Sequence, residues 1–332
     1  MDPYIHMAVD EEVTKQSGYK KVAKWIVVIA IFLFLGKMIR DNWSQVKDTP
    51  FSLQPLSFIL STLIFAFSYF IQIWAWYLIT LKLKIALSPS ETLKIWFYSQ
   101  LGKYLPGKIW MFLSRFHFYE SKGQSKKVIS VAIYLEVVTM IVAAGLIFLT
   151  GLIFFKEMQS VYSGRTFWLV LLPFISVFVC LHPRILEKII NWTLAQFKRD
   201  VVSLSISYSD VLWILFICIV SWVVGGIGFY LFVDSIYPAT AQYILFLTGA
   251  LAVSSTLGLI AIFAPSGLGV REGALVYLLS YMMPGGVAVI ISILTRIWMT
   301  LIEIGLIGMV YLINQFYKGP EKGSRNVQSQ KE

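Results

Sequence analysis

The stretch Ala264-Pro265-Ser266-Gly267-Leu268-Gly269-Val270-Arg271-Glu272-Gly273 interrupts a run that is otherwise apolar from Gln242 to Met283. Proline removes a helix donor and glycine loosens the helix, so the run reads as two helical pieces joined by a break at Pro265, Gly267 and Gly269. Arg271 and Glu272 open the second piece, so far from any loop that an unpaired charge there is expensive. A second run, Leu93 to Phe118, is broken in the same way by Pro106 and Gly107. Around these two regions lie six uninterrupted apolar segments: Lys21 to Ile39, Pro55 to Leu81, Lys127 to Phe155, Thr166 to His182, Asp210 to Ile236 and Gly286 to Phe316. About 20 apolar residues cross a bilayer as a helix, and each segment suffices. The expected fold is therefore all-α. It is a polytopic membrane helical bundle of six full crossings and two Pro/Gly-broken re-entrant hairpins, or eight crossings if the broken segments span.

Composition excludes a soluble catalytic domain. Of 332 residues, 58% are hydrophobic and 14% charged, against roughly a quarter charged in soluble domains. The net charge of +10 does not indicate a nucleic-acid partner, because the basic residues cap apolar segments and do not form a stripe on a soluble fold. Cys180 and Cys218 lie inside apolar segments and read as small buried hydrophobes. His6, His117 and His182 are isolated, so no metal or other cofactor is expected.

Residues 1–20 read as a retained cytoplasmic segment, without the apolar core of a signal peptide. Residues 317–332 are polar and read as a disordered cytoplasmic tail. Between the fourth and fifth segments, Pro183 to Arg199 places Leu186, Ile190, Leu194 and Phe197 on one face, the pattern of an interfacial helix.

With the N-terminus inside and both broken regions entering and leaving on one side, 18 Lys and Arg fall inside and 5 outside; the other five, Lys103, Lys108, Arg115, Arg271 and Arg296, lie in or beside the membrane. That asymmetry predicts a plasma-membrane protein with both termini cytoplasmic. A spanning Gln242 to Ala264 would leave the termini where they are, so charge counting does not separate the two topologies.

The order of parts occurs twice, over about 21–155 and 166–316: a crossing, a longer crossing, a broken pair, then a long crossing with an ionisable residue. Pro106 precedes Glu136 by 30 residues and Pro265 precedes Arg296 by 31. Three full crossings per half make the second copy an inverted repeat of the first, the plan of many transporters.

Four cations are candidates for a lipid phosphate: Lys103, Lys108 and Arg115 around the first break, where a half-helix N-terminus adds partial positive charge, and Arg271 at the second. The competing reading of the first set is a tight turn whose lysines reach the surface. Glu136, Glu272, Arg296 and Glu303 are candidates for a transport path or for structural ion pairs, and the repeat places Glu136 and Arg296 where they approach across the symmetry axis. The glycines at 267, 269 and 273 are not a dinucleotide fingerprint, since no strand precedes them. Trp25, Trp43, Trp110, Trp168 and Trp213 fall near segment ends and read as interfacial anchors.

At Leu105-Pro106-Gly107 with Arg115, and more specifically at Pro265 to Ala274, the chain resembles the membrane region of lysylphosphatidylglycerol synthases, a flippase-like family. The resemblance extends from about Lys24 to Phe316. It implies a helical bundle with re-entrant segments that moves a lipid headgroup between leaflets. The synthases also carry a soluble domain that transfers lysine from charged tRNA; nothing in this sequence matches it, and aminoacyl transfer is not expected. The expected function is thus a non-enzymatic flippase for an anionic phospholipid or a lipid-linked phosphate intermediate. Its partners are membrane lipids and, in a different reading, lipid- or polysaccharide-modifying enzymes that it organises. A membrane glycosyltransferase would need a carboxylate base on the external face, where Asp41, Asp48, Glu157 and Asp234 are the choices and none forms a paired acidic motif.

Overall fold

A computed structural model of the chain describes residues 33, 36–37, 40, 43–47, 51–85, 87–104, 109–155, 181–196, 206–239, 241–261, 264 and 267–317. The described residues contain helices and no strand. In chain order the α-helices are α1 (Trp43–Lys47), α2 (Pro55–Lys82), α3 (Pro89–Gln100), α4 (Ile109–Glu120), α5 (Lys126–Phe154), α6 (Pro183–Gln196), α7 (Tyr208–Asp234), α8 (Ile244–Ile260), α9 (Val270–Leu279) and α10 (Gly285–Tyr317). Among the described residues five helices are long and apolar enough to cross a membrane: α2, α5, α7, α10, and α8 together with the 3-10 turn Ala241–Tyr243 before it. The segments at 21–39 and 166–182, the N-terminal and C-terminal tails, and Pro106, Gly107, Lys108 and Pro265 lie wholly or largely outside the described residues.

The first broken region resolves into α3 and α4 of 12 residues each, about 18 Å apiece and too short to cross a hydrocarbon core of about 30 Å. Gly102, in the 3-10 turn Leu101–Tyr104, folds that turn onto α4: a Cβ there would stand 2.5 Å from the Met111 backbone nitrogen. Lys122, just past α4, bonds Glu91 in the first turn of α3 at 2.7 Å, so the segment begins and ends at the same end of the bundle. Lys82 at the end of α2 meets Asp210 at the start of α7 at 2.7 Å and belongs to that end too. At the opposite end, Gln54 and Ser52 donate backbone N–H groups to Ser235 and Ile236 past the end of α7. There Asp234 accepts from the Ala239 N–H, and Phe155 stacks on Phe246 of α8 at 3.9 Å.

Two capping boxes set helix starts a few residues ahead of the apolar segments read from sequence. Ser88 and Glu91 begin α3, and Ser207 and Asp210 begin α7; each satisfies two backbone or side-chain donors reciprocally. Helix pairing then depends on close approach, since apolar burial gives little drive between helices in lipid. α2 lies along α7 through Gly228, where a Cβ would come within 2.9 Å of the Phe65 nitrogen. α5 meets α8 through Gly249, where one would come within 2.8 Å of the Phe148 Cα. Helix α6 forms across the expected interfacial segment; the side chains at 186, 190 and 194 are outside the described set, and Trp192 on it is exposed.

Candidate functional site

A cavity of about 480 Å³ lies among α2, α3, α4, α5, α7, α8, α9 and α10. Six of the eight ionisable residues singled out from the sequence line it: Lys103, Arg115, Glu136, Arg271, Arg296 and Glu303. Glu272 stands behind Arg296, and Lys108 lies outside the described residues. Residues from 103 to 303 reach one space because both broken segments turn back toward it.

The first half builds a closed network. Arg115 of α4 is 1% exposed and pairs with Glu136 of α5. The other oxygen of Glu136 accepts from the Trp96 indole N–H at 3.0 Å, and the Arg115 Nε donates to Ser99 Oγ at 3.3 Å. The guanidinium carbon lies 4.4 Å from the centre of the Trp76 ring, a cation–π contact of about 2 kcal/mol when water is excluded. Trp76 in turn donates to the Tyr119 hydroxyl at 2.8 Å. Both charges are thus compensated on every side, as burial of an ion pair requires.

The second half is built around the glycine break. Gly267 and Gly269 take φ of +69° and +85°, which L side chains seldom adopt. A Cβ on Gly267 would lie 2.5 Å from the Gly258 carbonyl oxygen, so only glycine lets the break press against α8. Glu272 closes the N-terminus of α9 by accepting the Gly269 N–H at 2.6 Å. Its other oxygen, without a hydrogen-bond partner among the described residues, stands 3.5 Å from Arg296 of α10. Ser292 donates to the Glu272 carbonyl at 3.2 Å.

Lys103, from the turn after α3, pairs with Glu303 of α10 and so joins the two halves. Arg271 differs from the other cations: its guanidinium contacts the Met299 sulfur, and among the described residues no carboxylate lies within ion-pair distance of it. Its stem passes over Gly258, where a Cβ would meet the Arg271 Cβ at 2.9 Å.

The pairing departs from the sequence expectation in one respect. Glu136 and Arg296 both line the cavity but do not pair with each other; each finds a partner within its own half, Arg115 and Glu272. The cause is local, because α4 returns beside α5 and α9 beside α10, and those neighbours are nearer than the symmetry mate. Sequence reasoning also missed Trp76, Trp96 and Tyr119. Tryptophans were read as interfacial anchors, and Trp43, Trp110 and Trp213 are indeed half or more exposed, but Trp76 and Trp96 are buried around the charged pair. Trp96 lies three residues inside the run Leu93 to Phe118 and Trp76 five inside Pro55 to Leu81, so position along the run gave no signal that separates them from anchors. Asp234 spends an oxygen on the turn after α7 and lies away from the cavity lining. Asp41, Asp48 and Glu157 are outside the described residues.

A family model described as the lysylphosphatidylglycerol synthase TM region matches residues 22–308. No curated protein matches the chain.

Proposed function

The chain belongs to the lysylphosphatidylglycerol synthase transmembrane-region family, and from that premise we propose that it is a lipid translocator, moving an anionic phospholipid or a lipid-linked phosphate between leaflets without making or breaking covalent bonds. The observation that carries this reading is the cavity itself. It is a charged chamber among membrane-length helices, lined from both broken segments, and among the described residues no carboxylate lies within ion-pair distance of its Arg271 guanidinium. A hydrocarbon-depth cavity of this polarity is costly unless a polar ligand passes through it.

In this proposal the two broken segments are inverted counterparts that enter from opposite faces. The α3–α4 segment starts and ends beside Lys82 and Asp210, whereas α8 starts at the Ser235 end. The basic residues around the first end, Lys82, Lys84, Lys122, Lys126 and Lys127, make it the cytoplasmic side of a plasma membrane, with the termini on that side. Arg271 receives the phosphate. Lys103 of the first break meets it on the cytoplasmic side, and the Lys103–Glu303 pair is the latch between halves that opens as the headgroup passes. Arg115 and Glu136 hold the first hairpin rigid while this happens.

Leaflet exchange of labelled phospholipids and polyprenyl-phosphate sugars in proteoliposomes tests the proposal. Exchange faster than in empty vesicles for at least one of them is expected. No acceleration with any of them rejects it.

A further inference from the structure

We propose that Met299 is a site of oxidative modification: a peroxide entering the chamber converts its thioether to the sulfoxide, and the new oxygen captures the guanidinium of Arg271. The modification stands on two side chains of this chain and needs no ligand. Its consequence, arrest of leaflet exchange, rests on the translocation reading, in which Arg271 receives the phosphate.

Geometry brings the two side chains together. The Arg271 guanidinium abuts the Met299 sulfur, and both residues line the cavity. The stem of Arg271 is laid along α8, where a Cβ on Gly258 would stand 2.9, 3.6 and 3.7 Å from its Cβ, Cγ and Cδ. Held that far along its length, the side chain delivers its guanidinium to α10. A thioether is only a weak acceptor, so sulfur meets the guanidinium less well than the Glu136 carboxylate meets Arg115. The chamber of about 480 Å³ has room for a peroxide beside water, which takes about 30 Å³ a molecule. Met111 and Met140 line the same space from α4 and α5. Among the described residues, however, only the Met299 sulfur meets an arginine.

The chemistry uses that contact twice. A sulfur lone pair attacks the near oxygen of hydrogen peroxide, an S–O bond forms and the O–O bond breaks. The far oxygen takes the hydrogen of the near one and leaves as water, so sulfur loses two electrons and the peroxide gains them. Negative charge develops on the far oxygen, and a guanidinium already beside the sulfur donates to it, as preorganised donors do elsewhere. Once the sulfoxide exists, its oxygen is a full acceptor in place of a weak one, and a hydrogen bond to it from a guanidinium is charge-assisted. Arg271 is then engaged by a group of its own protein and withheld from an incoming phosphate. Sulfoxides are reducible, so the arrest is reversible.

The full chain in proteoliposomes, treated with hydrogen peroxide, gives two independent readouts. Peptide mass spectrometry follows sulfoxide at each methionine, and leaflet exchange of the labelled phospholipids and polyprenyl-phosphate sugars is compared before and after treatment. Met299 should oxidise at least about threefold faster than Met111 and Met140, and at least about threefold faster than it does in Arg271→Gln. Exchange by the unmodified protein should fall about tenfold in step with Met299 sulfoxide. Met299→Leu, which conserves volume, should keep its own untreated rate through the same treatment, whereas Met111→Leu and Met140→Leu should be arrested like the unmodified protein. Oxidation of Met299 no faster than of Met111 and Met140 overturns the proposal, and so does an unchanged Met299 rate in folded Arg271→Gln. Arrest of Met299→Leu by peroxide overturns it as well. Fast, Arg271-dependent oxidation in vesicles that show no exchange before treatment rejects translocation and upholds the modification site. Exchange that persists when Met299 is fully oxidised upholds translocation and rejects the capture of Arg271.

Discussion

Around the first break, Arg115 is enclosed by Glu136, Ser99 and the face of Trp76, and Glu136 accepts from Trp96 as well. Around the second break, Arg271 touches a methionine sulfur and a glycine backbone, while the nearby carboxylate, Glu272, is engaged by the Gly269 N–H and Arg296. Both regions place an arginine on the helix that follows a Pro/Gly break, Arg115 buried and Arg271 part-buried, and their chemistry differs. Where every donor and acceptor has a protein partner, the charge holds helices together. Where no carboxylate among the described residues stands within ion-pair distance, as at Arg271, the proposed translocation assigns the charge to a ligand.

Substitution tests this contrast most severely at the first region. Arg115→Met should lower the stability of the detergent-solubilised protein by about 3–5 kcal/mol, because it leaves Glu136 buried and unpaired. Thermal unfolding measures it, and a loss below about 1 kcal/mol would move Arg115 from the structural to the ligand-facing class. Next in size, Lys103→Met and Glu303→Gln should each cost about 1–3 kcal/mol. The double variant should lose clearly less than the sum, and a strictly additive cycle would deny that the two side chains bridge the halves.

At the second region the prediction reverses. Arg271→Gln should slow leaflet exchange at least tenfold, equivalent to about 1.4 kcal/mol, while changing stability by less than about 1 kcal/mol. A variant that unfolds as readily as Arg115→Met would erase the distinction between the regions.

The smallest effect is expected at the surface of the first hairpin. Lys122, then the Ser88 backbone N–H and hydroxyl, hold the Glu91 carboxyl below its ordinary value of 4.5. A depressed folded pKa contributes stability above the ordinary value that is lost as pH falls through the folded value. Glu91→Gln should therefore cost less than about 1 kcal/mol near neutral pH. Its difference from the unmodified protein should shrink and vanish as pH falls below the ordinary carboxyl value and through the lowered folded one. A difference that persists in acid would assign the effect to packing.

Much of the fold was legible from the sequence. Four of the six uninterrupted segments appear as helices within a few residues of their read bounds, and the breaks fall between α3 and α4 and between α8 and α9. The signal is robust because a lipid-exposed backbone must satisfy its own hydrogen bonds, leaving helix as the default for every apolar run. Helix starts were less legible, since the reciprocal bonds of Ser88 with Glu91 and Ser207 with Asp210 concern polar residues outside the apolar runs. Of the two topologies left open for the second broken run, the length of Ala241–Ile260 fits the one in which its first piece crosses by itself.

For the site, sequence supplied the participants and not the pairing. Intramembrane charge is rare enough that Lys103, Arg115, Glu136, Arg271, Glu272, Arg296 and Glu303 stand out by residue type and position alone, because each would be prohibitively costly facing lipid. Which charge meets which depends on the side to which α4 and α9 turn back and on the closeness of approach that Gly102 and Gly267 permit. Those are distances between segments up to 200 residues apart, and no local pattern encodes them. The sequence by itself thus determined that charge is buried in a membrane bundle with two broken helices. Tertiary structure alone decided that three of the cations are neutralised by protein carboxylates and that Arg271 has no such partner among the described residues, because neutralisation is a matter of ångströms between helices.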